Sequence, residues 1–251
     1  MDNGQRRGRA WTDIWLPAWL LCVAGVCWWW SVVSAASMSG DAMPMDAQSA
    51  MSLAPFLIDW VAMMAAMMLP AVLPVVGRYA RSTGGKPAAA AVFVVGYLVV
   101  WSVVGIPAFV VSTYLNSVTH SVSWVGRVAG AVALLAGLHQ LSPIKARCLR
   151  HCSWPVSSSG DSGSNPHSAV AAIVAGGRYG ISCLGSCWLL MVVLIAFGTM
   201  QLAWMLALSV VIWLERVAPF GDPLRRLSAA MLIVLGVALL VHPGFFPHLV
   251  S

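Results

Sequence analysis

Residues 59–70 read DWVAMMAAMMLP, with methionine at 63, 64, 67 and 68 and proline at 70. The stretch sits inside an apolar run from Phe56 to Val76, close to the ~20 residues that a bilayer core demands of a crossing helix. On a helix, i and i+4 share a face. Met63 therefore stacks over Met67 and Met64 over Met68, and the two pairs lie about 100° apart. The rest of the chain has the same character: 251 residues, 60% hydrophobic and 9% charged, where a soluble domain carries about 25% charged residues. The expected fold is all-α, a polytopic transmembrane helical bundle.

Seven apolar segments are drawn, roughly Trp15–Val33, Phe56–Val76, Ala88–Tyr114, Val122–Leu141, Ile181–Phe197, Leu202–Val217 and Leu227–Val241. The run Ala169–Gly177 is apolar but too short to span and reads as an interfacial or re-entrant piece. Lysine and arginine set the topology. Arg6, Arg7 and Arg9 precede the first span, Arg78, Arg81 and Lys86 follow the second, Lys145, Arg147 and Arg150 follow the fourth, and Arg225 and Arg226 follow the sixth. With seven spans all four groups fall on one side. The positive-inside rule makes that side the cytoplasm, with the N-terminus inside and the C-terminus outside; Arg127 fits this less well. The formal charge of +6 thus reflects topology and does not point to nucleic acid. The organisation expected is a basic cytoplasmic N-terminus (1–14), a transmembrane anchor (15–33), an external loop (34–54), a bundle (55–241) and an external tail (242–251). The N-terminal run resembles a secretory signal, but its length exceeds the usual h-region. An uncleaved anchor is expected, and cleavage would leave six spans.

Three sulfur-bearing stretches carry the candidate chemistry. The first is Met63, Met64, Met67 and Met68, with Asp59 one turn earlier. Thioethers are soft ligands that select Cu(I), and Pro70 and Pro74 interrupt backbone hydrogen bonding just beyond them. An intramembrane acid marks function by default, although Asp59 lies near enough to the interface to be merely solvated. Methionine is also a plastic packing residue, so the cluster is read either as a site or as packing. The second stretch, GISCLGSCWLLM (180–191), aligns Cys183, Cys187 and Met191 at i, i+4 and i+8. The bland alternative is small-residue packing, with Gly180, Ser182, Gly185 and Ser186 allowing close helix contact. The third, KARCLRHC (145–152), places Cys148 and Cys152 four apart among Lys145, Arg147 and Arg150. Positive charge favours a thiolate; contact of a basic segment with anionic lipid is the alternative. His139 and His151 lie nearby in sequence.

At a rise of ~1.5 Å per residue, a second span ending near Val76 puts Met68 roughly 12 Å and Met64 roughly 18 Å from the cytoplasmic face. A fifth span starting near Ile181 puts Cys183, Cys187 and Met191 roughly 3, 9 and 15 Å from it. The thioethers and the thiols are expected to face each other, with Cys148 and Cys152 below them at the cytoplasmic mouth. Met38, Met43, Met45 and Met51, with Asp41 and Asp46, stud the external loop as a dilute methionine collector or as a simple polar loop. Glu215–Arg216 reads as a structural ion pair or interfacial group, and Met200 and Met205 flank the turn between the fifth and sixth spans.

Trp60 with MAAMMLP, QLSPIKARCLRHC (140–152) and CLGSCWLLM (183–191) together resemble the motifs of a prokaryotic family of predicted metal-binding integral membrane proteins of unknown function. GTMQLAWM and Glu215–Arg216 fit the same pattern, which runs from about residue 55 to 240. The resemblance implies metal binding in a multi-span bundle of the inner membrane and no established activity. Ser186 stands where the family pattern has a second adjacent cysteine, leaving two thiols there.

The function expected is binding of a soft metal, Cu(I), for copper transport or for delivery to a membrane cuproenzyme, with a copper donor or acceptor protein as partner. The candidate ligands are Met63, Met64, Met67, Met68, Cys183, Cys187, Met191, Cys148, Cys152 and Asp59. A four-thiolate Zn²⁺ site would leave the methionines unexplained. A transmembrane thiol–disulfide oxidoreductase is the alternative; residues four apart on a helix stand about 6 Å apart, where a disulfide wants Cβ atoms about 3.8 Å apart. A structural or assembly subunit with sulfur-rich packing is the third reading. No catalytic residue is assigned.

Overall fold

The computed structural model describes residues 14–39, 52–118, 122–153, 168–197, 202–217, 221–242 and 244. Eight helices make up the described chain: α1 (Leu16–Ser39), α2 (Leu53–Ser82), α3 (Pro87–Val118), α4 (Val122–Leu141), α5 (Pro143–Ser153), α6 (Ala169–Phe197), α7 (Leu202–Val217) and α8 (Gly221–Val241). No strand occurs among the described residues. Apolar runs in lipid must satisfy their backbone groups internally, and the helix does this within one segment.

Five helices are long and apolar enough to cross a membrane: Leu16–Ala36, Leu53–Ser82, Pro87–Tyr114, Ala169–Phe197 and Gly221–Val241. This is a multi-pass helical bundle with five such helices where the sequence predicts seven spans. The two others are α4 and α7. At 16 residues, α7 measures about 24 Å, short of a ~30 Å hydrocarbon core.

One segment differs outright. The run Ala169–Gly177, read as a separate interfacial piece, is continuous with the next span in a single helix of 29 residues. Gly176 in this run serves helix packing. A Cβ on Gly176 would collide with the Phe93 carbonyl oxygen, and one on Gly96 with that of Ile173. The backbones of α3 and α6 thus cross in near contact, the small-residue packing that drives helix association in lipid. The same device joins α4 to α8: a Cβ on Gly236 would stand 2.6 Å from the Leu134 nitrogen, and one on Gly130 3.0 Å from the Gly236 carbonyl oxygen.

Helix α2 continues for 30 residues through Pro70 and Pro74. Each proline withholds an N–H from the carbonyl four residues earlier, and the Arg78 Nε donates to the Pro74 carbonyl at 3.2 Å. α2 packs against α1, α3 and α7, while α6 packs against α3, α4, α5 and α7. Phe93 on α3 links the two long helices, its ring centroid 4.9 Å from that of Tyr79 on α2 and 6.0 Å from that of Tyr179 on α6.

Candidate metal centre

The methionine stretch turns inward. Met64, Met67 and Met68 are 0% exposed and Met63 is 6% exposed. Four adjacent long side chains are buried because both i,i+4 pairs fall within the face that α2 presents to its neighbours. Trp60, one turn before Met64, donates its indole N–H to the Trp101 carbonyl at 3.0 Å. That bond fixes the stretch against α3.

Cys183, Cys187 and Met191 are also buried, on one face of α6. Cys187 donates its thiol hydrogen to the Cys183 carbonyl at 3.0 Å, so the two sulfurs lie on the same side of the helix. Cys183 has further partners. The Arg216 Nη2 donates to its sulfur at 3.1 Å and to the Ser186 hydroxyl at 2.9 Å. The Arg216 Nη1 donates to the Tyr179 hydroxyl at 3.0 Å. Tyr97, wholly buried on α3, shares a hydrogen bond with the same sulfur at 3.2 Å. A guanidinium therefore faces one thiol of the pair from the end of α7.

A second polar knot lies beside this one. Lys145 on α5 is buried and pairs with the Glu215 Oε2 at 2.6 Å. Lys145 also donates to Gln140. Gln140 in turn donates to the Glu215 Oε1 at 3.0 Å and to the Ser228 hydroxyl at 3.1 Å. Burial pushes the Lys145 ammonium below the ordinary lysine range, and the Glu215 carboxylate pulls in the opposite direction. Glu215 and Arg216, expected as a pair, point about 100° apart as neighbours on a helix. Glu215 meets Lys145, and Arg216 meets Cys183.

The arrangement of the other candidates is mixed. Cys148 does not lie below the thiols. A Cβ on Gly185, between Cys183 and Cys187 in sequence, would touch the Cys148 sulfur at 3.1 Å. The His139 Nε2 lies 3.3 Å from the Gly185 carbonyl oxygen. Both approach α6 at the level of the pair. The segment carrying Cys148 and Cys152 is helical, but the Cys152 side chain lies outside the described residues, as do Met43, Met45, Met51, Asp41, Asp46 and Met200. Asp59 accepts from the Trp30 indole at 2.8 Å and the Ser34 hydroxyl at 3.4 Å.

Because α6 begins at Ala169, the depths expected for its sulfurs change. Cys183 stands fourteen residues from either end of α6, and Met67 and Met68 are equally central in α2, each about 21 Å from a helix end by rise. Both sulfur groups are mid-helix. Among the described residues α2 and α6 do not share an extensive backbone interface; α3 and α7 pack against both. No group of three or more His, Cys, Asp or Glu side chains comes together among the described residues. A metal held in this interior has two thiols and several thioethers available, a soft donor set suited to Cu(I).

Arg216 and Tyr97 are the neighbours of Cys183 that sequence reading missed. Arg216 was visible as part of Glu215–Arg216, an ion pair or interfacial group that also fits the family pattern, without a link to the thiols. Tyr97 lies in an unpatterned apolar run, and nothing in the sequence distinguishes it. Gln140 and Lys145 did carry a signal, being part of the QLSPIK stretch.

The bundle and its interior define a class: an all-α, multi-pass membrane protein with a buried, sulfur-rich centre. Residues 57–239 match the model of the PpoB2 family, described as a copper chaperone. The match covers well over half of the chain, and the protein belongs to that family. No curated protein and no solved structure shows a significant match. Copper is thereby the metal the family description supplies to the unspecified metal that the sequence motifs imply.

Proposed function

We propose that this protein binds Cu(I) within the membrane and hands it to a partner, as donor to a cuproenzyme or as a transporter. Cys183 and Cys187 are the central ligands and Met191 completes their stripe. Met63, Met64, Met67 and Met68 are weaker thioether stations along α2, and Cys148 and Cys152 form the acceptor pair on α5, with Cys148 reaching Gly185 between the two central thiols. The bundle crosses the inner membrane seven times, N-terminus inside, with α4 and α7 as its shorter spans.

The observation that carries this reading is Arg216 against Cys183. Cu⁺ held by two thiolates has a net charge of −1. An isolated charge in a low-dielectric interior is costly, and a partner of opposite sign removes most of that cost. Arg216 supplies the matching +1. A thioether-only site would be cationic and would repel the same guanidinium, so the charge pattern favours thiolates at the centre and thioethers elsewhere.

Competition titration with Cu(I) tests the assignment on three proteins: wild type, Cys183→Ser with Cys187→Ser, and the Met64→Leu, Met67→Leu, Met68→Leu triple variant. The thiol variant is expected to lose the tightest equivalent, and the triple variant to keep it while losing weaker ones. Leu↔Met exchange conserves volume and usually costs below ~1.5 kcal/mol, so loss of binding in the triple variant reports on the ligands. Full binding by the thiol variant would remove the cysteines from the site.

A further inference from the structure

A second donor set lies at the other end of α2 from Arg78. Asp59 and Met63 stand one turn apart on one face. Met205, near the start of α7 and 2% exposed, lines the same small cavity as both of them. The cavity is partly open and measures ≈ 30 Å³, with Phe56, Trp60, Ser31 and Ser34 also in its wall. A water needs about 10–15 Å³ on this measure, so the space suits an ion or one or two waters and no organic substrate.

Building on the copper reading, we infer that Asp59, Met63 and Met205 form a separate entry site for a monovalent soft cation, Cu(I) in the cell and Ag(I) as its probe. The Trp30 and Ser34 donors both reach the Asp59 Oδ1. Neither donor reaches Oδ2, the oxygen assigned to the cation. The two thioethers come from different helices, so the site forms only in the folded bundle. Hard cations such as Ca²⁺ need six to eight oxygens, which one carboxylate beside two sulfurs does not provide. The stacked Phe56 and Trp60 rings, 6.1 Å apart, add π-faces that attract a poorly hydrated cation.

Charge sets this site apart from the thiol pair. One carboxylate and one monovalent cation sum to zero without help from arginine. From Met63, the next thioether on the same face is Met67, one turn and about 6 Å further along the helix. Asp59, Met63 and Met67 thus form a continuous stripe from the helix end toward its middle, with Met205 as the ligand that α7 contributes at the entry.

The test counts Ag(I) equivalents bound by the full-length protein in detergent, by competition titration and elemental analysis. With all six cysteines replaced by serine and Met64, Met67 and Met68 replaced by leucine, one equivalent is expected to remain. Adding Met63→Leu and Met205→Leu should abolish it, and Asp59→Asn should weaken it at least tenfold. In the cysteine-containing protein the same methionine pair should remove one equivalent, a readout that survives if the cysteine-free protein does not fold. An unchanged count in both backgrounds overturns the entry site. A wild type that binds silver through its thiols while the folded cysteine-free protein binds none also overturns it and leaves the central site standing. A wild type that binds neither Ag(I) nor Cu(I) overturns both.

Discussion

At the residue scale the account turns on Arg216 and Lys145, two cations drawn into the interior for different reasons. Arg216 reaches Cys183, Ser186 and Tyr179. If it neutralises a copper bis-thiolate, Arg216→Gln should weaken the tightest Cu(I) equivalent tenfold or more, about 1.4 kcal/mol per decade. Arg216→Lys keeps the charge and should recover part of the affinity, which a purely geometric role would not predict, since lysine lacks the planar fork. Equal affinity across the three proteins would detach Arg216 from the site. Lys145 belongs to the Glu215–Gln140–Ser228 knot. Lys145→Met strands a buried carboxylate, and breaking a buried pair in this way costs about 3–5 kcal/mol. Thermal unfolding in detergent should show a marked loss for that variant. Combining Lys145→Met with Glu215→Leu removes both charges and should restore most of it.

At the element scale, glycine positions decide how the thiols are surrounded. Tyr97 meets Cys183 because α3 and α6 cross almost backbone to backbone at Gly96 and Gly176. Gly176→Val would force the helices apart and draw Tyr97 from the sulfur. It should lower the unfolding temperature and the affinity for Cu(I) together. Gly25→Ala on α1 meets nothing within 4 Å and is the matched control, expected to change neither. The helices themselves were legible in the sequence: apolar length and i,i+4 sulfur spacing located α2 and the thiol half of α6 and predicted the inward face of the methionines. The start of α6 was not legible. The run Ala169–Gly177 read as a separate piece, too short to span, because a sequence does not reveal that the backbone of α3 will lie against Gly176 and hold the segment in one long helix. Cys148 was misplaced for a related reason. Its distance from the cysteine pair along the chain says nothing of how α5 folds back to touch Gly185. Arg216 was misread because neighbours of opposite charge suggest an ion pair, while helix geometry sends them to different partners.

At the scale of the whole molecule, five long apolar helices, membership of a copper chaperone family and a buried sulfur-rich interior support the proposal that copper is held away from water. The topology proposed here, from the clustering of lysine and arginine, makes its own prediction. Reporter tags at residues 80–86 and 155–165 should be cytoplasmic and one at 40–50 external; an external tag at 155–165 would reverse the assignment of Cys148 and Cys152 to the cytoplasmic side. The central claim is that copper sits on sulfur at the middle of the bundle. X-ray absorption at the copper edge, on anaerobically purified protein loaded with one equivalent of Cu(I), addresses it most directly. The account predicts monovalent copper bonded to sulfur alone, and loss of that signal in the Cys183→Ser, Cys187→Ser variant. A shell of nitrogen or oxygen, or an unchanged sulfur shell in the variant, would contradict it.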